Sequence, residues 1–94
     1  MQSVARQRET ISRIIKDRLS GDLVDSIEIT EGFDQDDDPV IQITVVVKDK
    51  INSLDRRRML GLARYIRNGL IDDDRFPIIE FITRQDAKKR REAA

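Results

Sequence analysis

A run of carboxylates after the first predicted strand is the clearest candidate for metal chemistry in this 94-residue sequence. Asp34, Asp36 and Asp38 have the spacing with which an EF-hand calcium loop begins. Such a loop also needs a glycine at its sixth position and a bidentate glutamate at its twelfth, where this chain has Pro39 and Val45. The incomplete motif favours a solvated turn between strands over a calcium site.

A second acidic run, Asp72, Asp73 and Asp74, follows the second predicted helix. Consecutive carboxylates at a helix end point in different directions, and no glycine-rich phosphate loop accompanies them. We therefore predict no metal and no other cofactor. Whether the acidic loop 31–38 or the run 72–74 binds a divalent ion stays open.

The composition argues against an enzyme. The sequence has no His and no Cys, which excludes a Ser-His-Asp triad, a Cys nucleophile and the His or Cys ligands of zinc and iron–sulfur sites. General acid–base chemistry would fall to carboxylates, lysines or the single tyrosine, Tyr65. We interpret the protein as non-catalytic, without a small-molecule substrate.

Arginine is the second residue type whose spacing indicates binding. On a helical wheel of about 100° per residue, four arginines of the second predicted helix share an arc of about 100° with Leu60 and Ile71. Arginines among aliphatic side chains are typical of surfaces that dock proteins or phosphates, although the solvated back of a helix gives the same pattern. These candidate partner-binding residues are Arg56, Arg57, Arg64 and Arg67.

Two other segments could contribute to binding. Residues 88–91 form a basic run that can steer toward nucleic acid or an acidic partner, or can serve solubility alone. Phe33 is predicted to lie in the acidic loop, where a single aromatic suits an anchor for a protein better than a platform for stacking bases. The formal net charge is zero, so the basic excess typical of a nucleic-acid-binding protein is missing.

Two amphipathic helices are predicted to position these residues, over 3–19 and 53–70. In each, apolar residues recur at helical spacing and form one stripe that would face a core. Ser53 can cap the second helix. The stripes consist of Ile11, Ile14, Ile15 and Leu19 in the first helix, and of Met59, Leu62, Ala63, Ile66 and Leu70 in the second.

Three segments, 24–31, 40–48 and 76–83, alternate apolar and polar residues or are rich in β-branched residues, which predicts strands. The first two are joined by the polar loop and are expected to form an antiparallel hairpin. Pro77, near the start of the third segment, indicates an edge strand or a strand beginning.

The element order α-β-β-α-β predicts an α+β fold: a single two-layer domain over 1–83, in which a three-stranded mixed sheet carries both helices on one face. Residues 84–94 form a charged C-terminal tail or a short helix. The other face is expected to be open, and its aliphatic part around Val46, Ile78 and Ile82 is a second candidate partner-binding surface. That face would carry Ser26, Glu28, Thr30, Gln42, Thr44, Val46, Ile78, Glu80 and Ile82.

Two family resemblances accompany this layout. The segments IQITVVVKD, ARYIRNGL and FPIIEFIT resemble the type II KH arrangement and ribosome-binding factor A, which implies RNA binding. Because the chain has no GxxG turn between helices, no RNA-binding residue carries over. The opening VARQRETISRII and the ending FPIIEFITRQDAKK resemble small uncharacterised bacterial α/β proteins associated with HEPN-type partners, which implies a toxin–antitoxin-like pair.

From the residues and these resemblances we predict a protein-interaction or regulatory module, either a homodimer or an antitoxin-like subunit. A KH-like RNA-binding or ribosome-associated protein is the alternative. The N-terminus lacks the apolar core of a signal peptide, and the longest uncharged run, residues 39–47, is far shorter than the ~20 apolar residues that span a bilayer. A cytoplasmic protein without membrane contact is therefore expected.

Overall fold

The computed structural model describes residues 4–19, 22–48, 51, 53–70 and 75–93. Four helices and three strands lie within these ranges, and they form a single compact α+β domain, as predicted. In chain order the elements are α1 (Val4–Arg18), β1 (Val24–Phe33), β2 (Pro39–Val47), α2 (Ser53–Leu60), α3 (Leu62–Gly69), β3 (Phe76–Thr83) and α4 (Arg84–Ala93).

The mixed three-stranded sheet is confirmed, with β2 in its centre. β1 and β2 form the predicted antiparallel hairpin, and β3 runs parallel to β2 after the crossover through α2 and α3. Both β1 and β3 are therefore edge strands, which agrees with the position predicted from Pro77.

The core lies between one sheet face and the helices α1 and α3. β2 is the most buried strand because it has a neighbouring strand on each side. Its inward side chains form the central part of the sheet side of the core. The apolar stripes of the two helices pack against these side chains, which is the arrangement that their periodicity predicts. Ala63, which was predicted to belong to the second stripe, is instead exposed. The buried residues include Ile11, Ile15, Leu19, Ile41, Ile43, Val45, Val47, Leu62, Ile66 and Leu70.

The second predicted helix is interrupted at Gly61, where a turn separates α2 from α3. Gly61 has φ −92° and ψ −1°, near the sparsely allowed bridge region rather than the centre of the helical region. Glycine has the weakest helix propensity of the ordinary residues, by about 1 kcal/mol relative to alanine. The helical wheel therefore does not continue unchanged across this position.

The expectation that the second sheet face is open around Val46 and Ile82 is wrong. Residues 84–93 form helix α4, which packs against β2 and β3 on that face. Val46 is only 1% exposed, Ile82 is half-buried, and Ala87 of the helix is buried. The sequence pattern does not predict this contact because the apolar side chains that the helix contributes to it are small.

Helix α4 is held in place by a cap at its first turn and by contacts with the edge strands β1 and β3. The backbone N–H of Asp86 donates to Oγ1 of Thr83 (3.1 Å), which caps the helix. Nη2 of Arg84 lies 3.1 Å from a carboxylate oxygen of Asp25 on β1.

Within the described residues, none of the helices has the length and apolar character that spanning a membrane requires.

Candidate docking surface

An apolar groove lies between α2 and the edge strand β3. It has a volume of about 340 Å³ and is lined by Arg56, Met59, Leu60 and Phe81. Met59 and Phe81 are half-buried and pack against the core, whereas Leu60 is 86% exposed. Leu60 therefore extends the apolar surface of the groove, and contiguous apolar surface is what marks interaction sites on proteins.

The break between α2 and α3 lies directly beside Leu60. α2 ends at Leu60, and α3 begins at Leu62, which is fully buried. Two leucines on either side of Gly61 therefore lie in opposite environments. Sequence periodicity alone places Leu60 among the arginines, and the structure confirms that it points away from the core.

The four arginines that are predicted to bind a partner are all exposed. Arg56 lines the groove, while the guanidinium of Arg67 lies over the ring of Phe76, 5.3 Å from its centroid. Arg57 and Arg64 are exposed and do not line the groove. Ile71, the other aliphatic residue of the predicted arc, falls outside the described residues.

The uncovered half of the second sheet face retains exposed apolar side chains on β3. Ile78 is 42% exposed and Phe76 is 51% exposed. In the sheet register they lie beside Gln42 and Val40 of β2. Of the three aliphatic residues predicted on this face, Ile78 is thus the one that remains available for contact.

The single charged residue of β3, Glu80, is already paired. Arg90 of α4 donates from both terminal nitrogens to its carboxylate, and the Nη1–Oε2 distance is 3.0 Å. The side-chain hydrogen bonds from Arg90 hold the pKa of Glu80 below its usual range. Charged side chains commonly protect an edge strand from pairing, and in β3 this charge is neutralised by the protein itself.

The acidic loop is organised by its own first residue. Oδ1 of Asp34 accepts hydrogen bonds from the backbone N–H groups of Asp36 (2.8 Å) and Asp38 (2.9 Å). Asp37 adopts φ 62°, in the left-handed region that aspartate tolerates better than most residues. The carboxylates of Asp34, Asp36 and Asp38 lie within 4.8 Å of one another and are exposed. Turn formation accounts for this arrangement, as the sequence predicts.

A buried polar contact that the sequence analysis missed joins three elements. The guanidinium of Arg75, just before β3, donates to Glu31 on β1 and to Oε1 of Gln7 on α1. Gln7 and Arg75 are buried, and among the described residues Nε2 of Gln7 has no hydrogen-bond partner. Two signals were available: Gln7 lies four residues before Ile11 on the apolar stripe, and Glu31 continues the inward alternation of its strand.

Arg75 also lines a cleft of about 460 Å³, together with Glu31, Gly32, Phe33 and Pro39. Phe33 is 71% exposed and stands at the end of β1, directly before the acidic loop. Because Arg75 holds the sheet to α1, we interpret it as a structural cross-link. Phe33 beside it is exposed, which the role of a protein anchor predicted from the sequence requires.

A basic cleft lies along α4. It has a volume of about 730 Å³ and is lined by Asp25, Arg84, Gln85, Lys88 and Arg91. The three basic residues recur at helical spacing on one side of the helix. The basic run predicted near the C-terminus is thus part of an ordered helix, not an extended tail.

The second acidic run, Asp72–Asp74, lies outside the described residues, so its geometry does not enter the site.

Comparison with protein-family models, with curated proteins and with solved structures finds no match for this chain. The function is therefore argued from the surface geometry alone.

Proposed function

We propose that the protein is a non-catalytic docking module that binds a protein partner through the groove between α2 and β3. The observation that carries the proposal is Leu60, which is 86% exposed at the rim of an apolar groove and beside Arg56. Fully burying a leucine side chain is worth about 1.5–3 kcal/mol. An arginine at the rim adds charge-assisted hydrogen bonds to an acidic partner.

The chemistry of the groove suits binding better than catalysis. Its lining consists of one arginine and three apolar side chains. An arginine side chain has no acceptor and does not lose its proton in proteins, so it cannot act as a general base. Such a surface favours a partner with an apolar anchor next to carboxylates.

Two forms of this function are compatible with the groove. In one, two copies of the chain associate as a homodimer. In the other, the chain is the small regulatory subunit of a complex, for example an antitoxin-like subunit, and acts by occupying a surface of its partner. Both forms depend on the same apolar contact.

The test is capture of a partner by the wild-type chain and by three variants with matched chemistry. Leu60→Gln removes the apolar rim of the groove, Leu54→Gln changes an exposed leucine of the same helix that does not line it, and Ile78→Gln changes the sheet face. We expect one protein to bind the wild type and the Leu54→Gln and Ile78→Gln variants at equal stoichiometry, and to bind Leu60→Gln at least about tenfold more weakly.

Retention of that protein by Leu60→Gln would contradict the proposal. Loss with Ile78→Gln alone would move the docking surface to the sheet face. Circular dichroism of each variant checks that the fold is intact.

RNA binding is the second candidate, and the basic cleft along α4 favours it. Arg84, Lys88 and Arg91 could contact successive phosphates, although Asp25 lies in the same cleft. A phosphate binder loses affinity steeply with salt, in proportion to the number of phosphates contacted. We expect Lys88→Glu to abolish RNA capture if this function holds and to leave groove-dependent protein capture unchanged. The capture is made from a cell lysate, and treating this lysate with RNase before capture separates the two functions.

A further inference from the structure

We propose that the occupant of the groove is a second copy of this chain, whose Phe33 enters the groove while its acidic loop faces the arginines of α2. This inference rests on the proposed docking function and names the partner of the same site. It is carried by the complementary shape and charge of two surfaces that the chain itself presents, at Phe33–Asp38 and at the groove.

Phe33 has the properties of a preformed anchor. It is the last residue of β1 and is 71% exposed. The turn that follows is closed by the hydrogen bond from Asp34 N to Asp38 O (3.0 Å) and by the two backbone bonds to Oδ1 of Asp34. An anchor that is already ordered loses little conformational entropy when it binds.

The groove is large enough to accept this anchor. Its volume is about 340 Å³, whereas an engineered apolar cavity of about 150 Å³ is sufficient to bind benzene. The ring of Phe81 and the thioether of Met59 line it, and contacts of aromatic rings with rings and with thioether sulfur are favourable.

The charges around the anchor and around the groove are opposite. Asp34, Asp36, Asp37 and Asp38 follow Phe33 and are all exposed, and the segment 22–38 contains no basic residue. Arg56 lines the groove, and Arg57 and Arg58, which follow it on α2, are also exposed. Opposed patches of this kind steer association and fix its register.

The contact has to form between two molecules. Phe33 pairs with Pro39 at the end of the sheet where β3 begins, whereas Phe81 of the groove lies beside Val45. At ~3.3 Å per strand residue these positions are roughly 17–20 Å apart along the sheet. A chain therefore cannot fill its own groove, and the anchor of one copy meets the groove of another.

The test uses sedimentation velocity on the full chain over a range of concentrations and at two salt concentrations. We expect the wild type to self-associate, more strongly at low salt. Phe33→Ala removes the anchor and Leu60→Gln damages the groove, and each should raise the dissociation constant at least about tenfold. Phe76→Ala, which removes another exposed phenylalanine outside the loop, is the matched control and should associate like the wild type.

Mixing the two defective variants gives the decisive result. Phe33→Ala retains an intact groove and Leu60→Gln retains an intact anchor, so an equimolar mixture should form a 1:1 complex at concentrations where each variant alone is monomeric. A mixture that stays monomeric, self-association of Phe33→Ala at the wild-type strength, or equal loss with Phe76→Ala would overturn the inference.

A wild type that remains monomeric would also overturn this inference without deciding the proposed function. In that case, a separate protein that binds the wild type and is lost with Leu60→Gln would leave the docking function in place with a different partner. If Leu60→Gln changes neither self-association nor capture, both proposals fail.

Discussion

Gly69, the last residue of α3, lies close to side chains of α1, and replacing it by alanine tests this packing directly. A Cβ at position 69 would lie 2.5 Å from Cδ1 of Ile14 and 3.8 Å from Cγ2 of Thr10. Real Cβ atoms do not come as close as the first distance, so the end of the Ile14 side chain must move. Ile14 is half-buried against the core, which limits where it can go.

Two opposed effects set the expected change in stability. Alanine is favoured over glycine within a helix by about 1 kcal/mol, and less at a helix end. Inserting a methyl group into packed side chains costs about 1–3 kcal/mol. We expect Gly69→Ala to destabilise the protein by about 1 kcal/mol, because the steric cost exceeds the gain in helix propensity.

The variant Ile14→Val separates the two effects because valine lacks the Cδ1 atom that collides. Alone it should cost about 0.5–1.5 kcal/mol. In its presence Gly69→Ala should become neutral or stabilising, which gives a favourable coupling free energy of at least about 1 kcal/mol.

The assay is urea unfolding of the wild type, both single variants and the double variant, followed by circular dichroism. A coupling below about 0.5 kcal/mol, within the range of independent sites, would refute this account of the contact between α1 and α3.

Three further predictions concern the second sheet face and the loop. Val46→Asp should destabilise the protein by about 3 kcal/mol or more in urea, because it buries a carboxylate beneath α4, whereas Ile78→Asp on the exposed part should cost about 1 kcal/mol or less. Arg90→Gln should raise the pKa of Glu80 in a ¹³C NMR titration. Since that pKa lies below its usual value near 4.5, the stabilisation by the ion pair is complete above this pH and is lost as the pH falls through the folded-state pKa. Asp37→Gly, at φ 62°, should leave the free energy of unfolding unchanged or raise it by about 1 kcal/mol at most, as measured by thermal unfolding. Clear destabilisation would mean that the aspartate side chain itself holds the turn.

The position of α4 changes which surfaces can bind a partner. The sequence analysis placed a docking surface around Val46, Ile78 and Ile82, but α4 buries the first and partly covers the third. Beside β3, exposed apolar side chains therefore remain in two places, in the groove at Leu60 and on the sheet face at Ile78. The variants Leu60→Gln and Ile78→Gln distinguish these two surfaces within one experiment.

The sequence by itself determined the elements and the main core. Alternation in the three strands and the stripes of the two predicted helices follow from local backbone geometry, which repeats every two residues in a strand and about every 3.6 in a helix. These periods identified the inward faces of β2, α1 and α3, and the acidic composition identified the exposed turn after β1. Phe33, which the sequence analysis placed in that loop, is exposed but belongs to the end of β1.

Only the tertiary structure decided the features that depend on residues far apart in the chain. The sequence allows a short helix after the third strand, but the face that α4 covers is set by its contacts with other elements, which include the ion pairs of Arg84 with Asp25 and of Arg90 with Glu80. Periodicity likewise indicates that Leu60 is exposed, but not that Phe81, twenty-one residues later, completes a groove with it. Local patterns report which side of an element is apolar, whereas chain folding decides which surfaces meet and which remain free to bind.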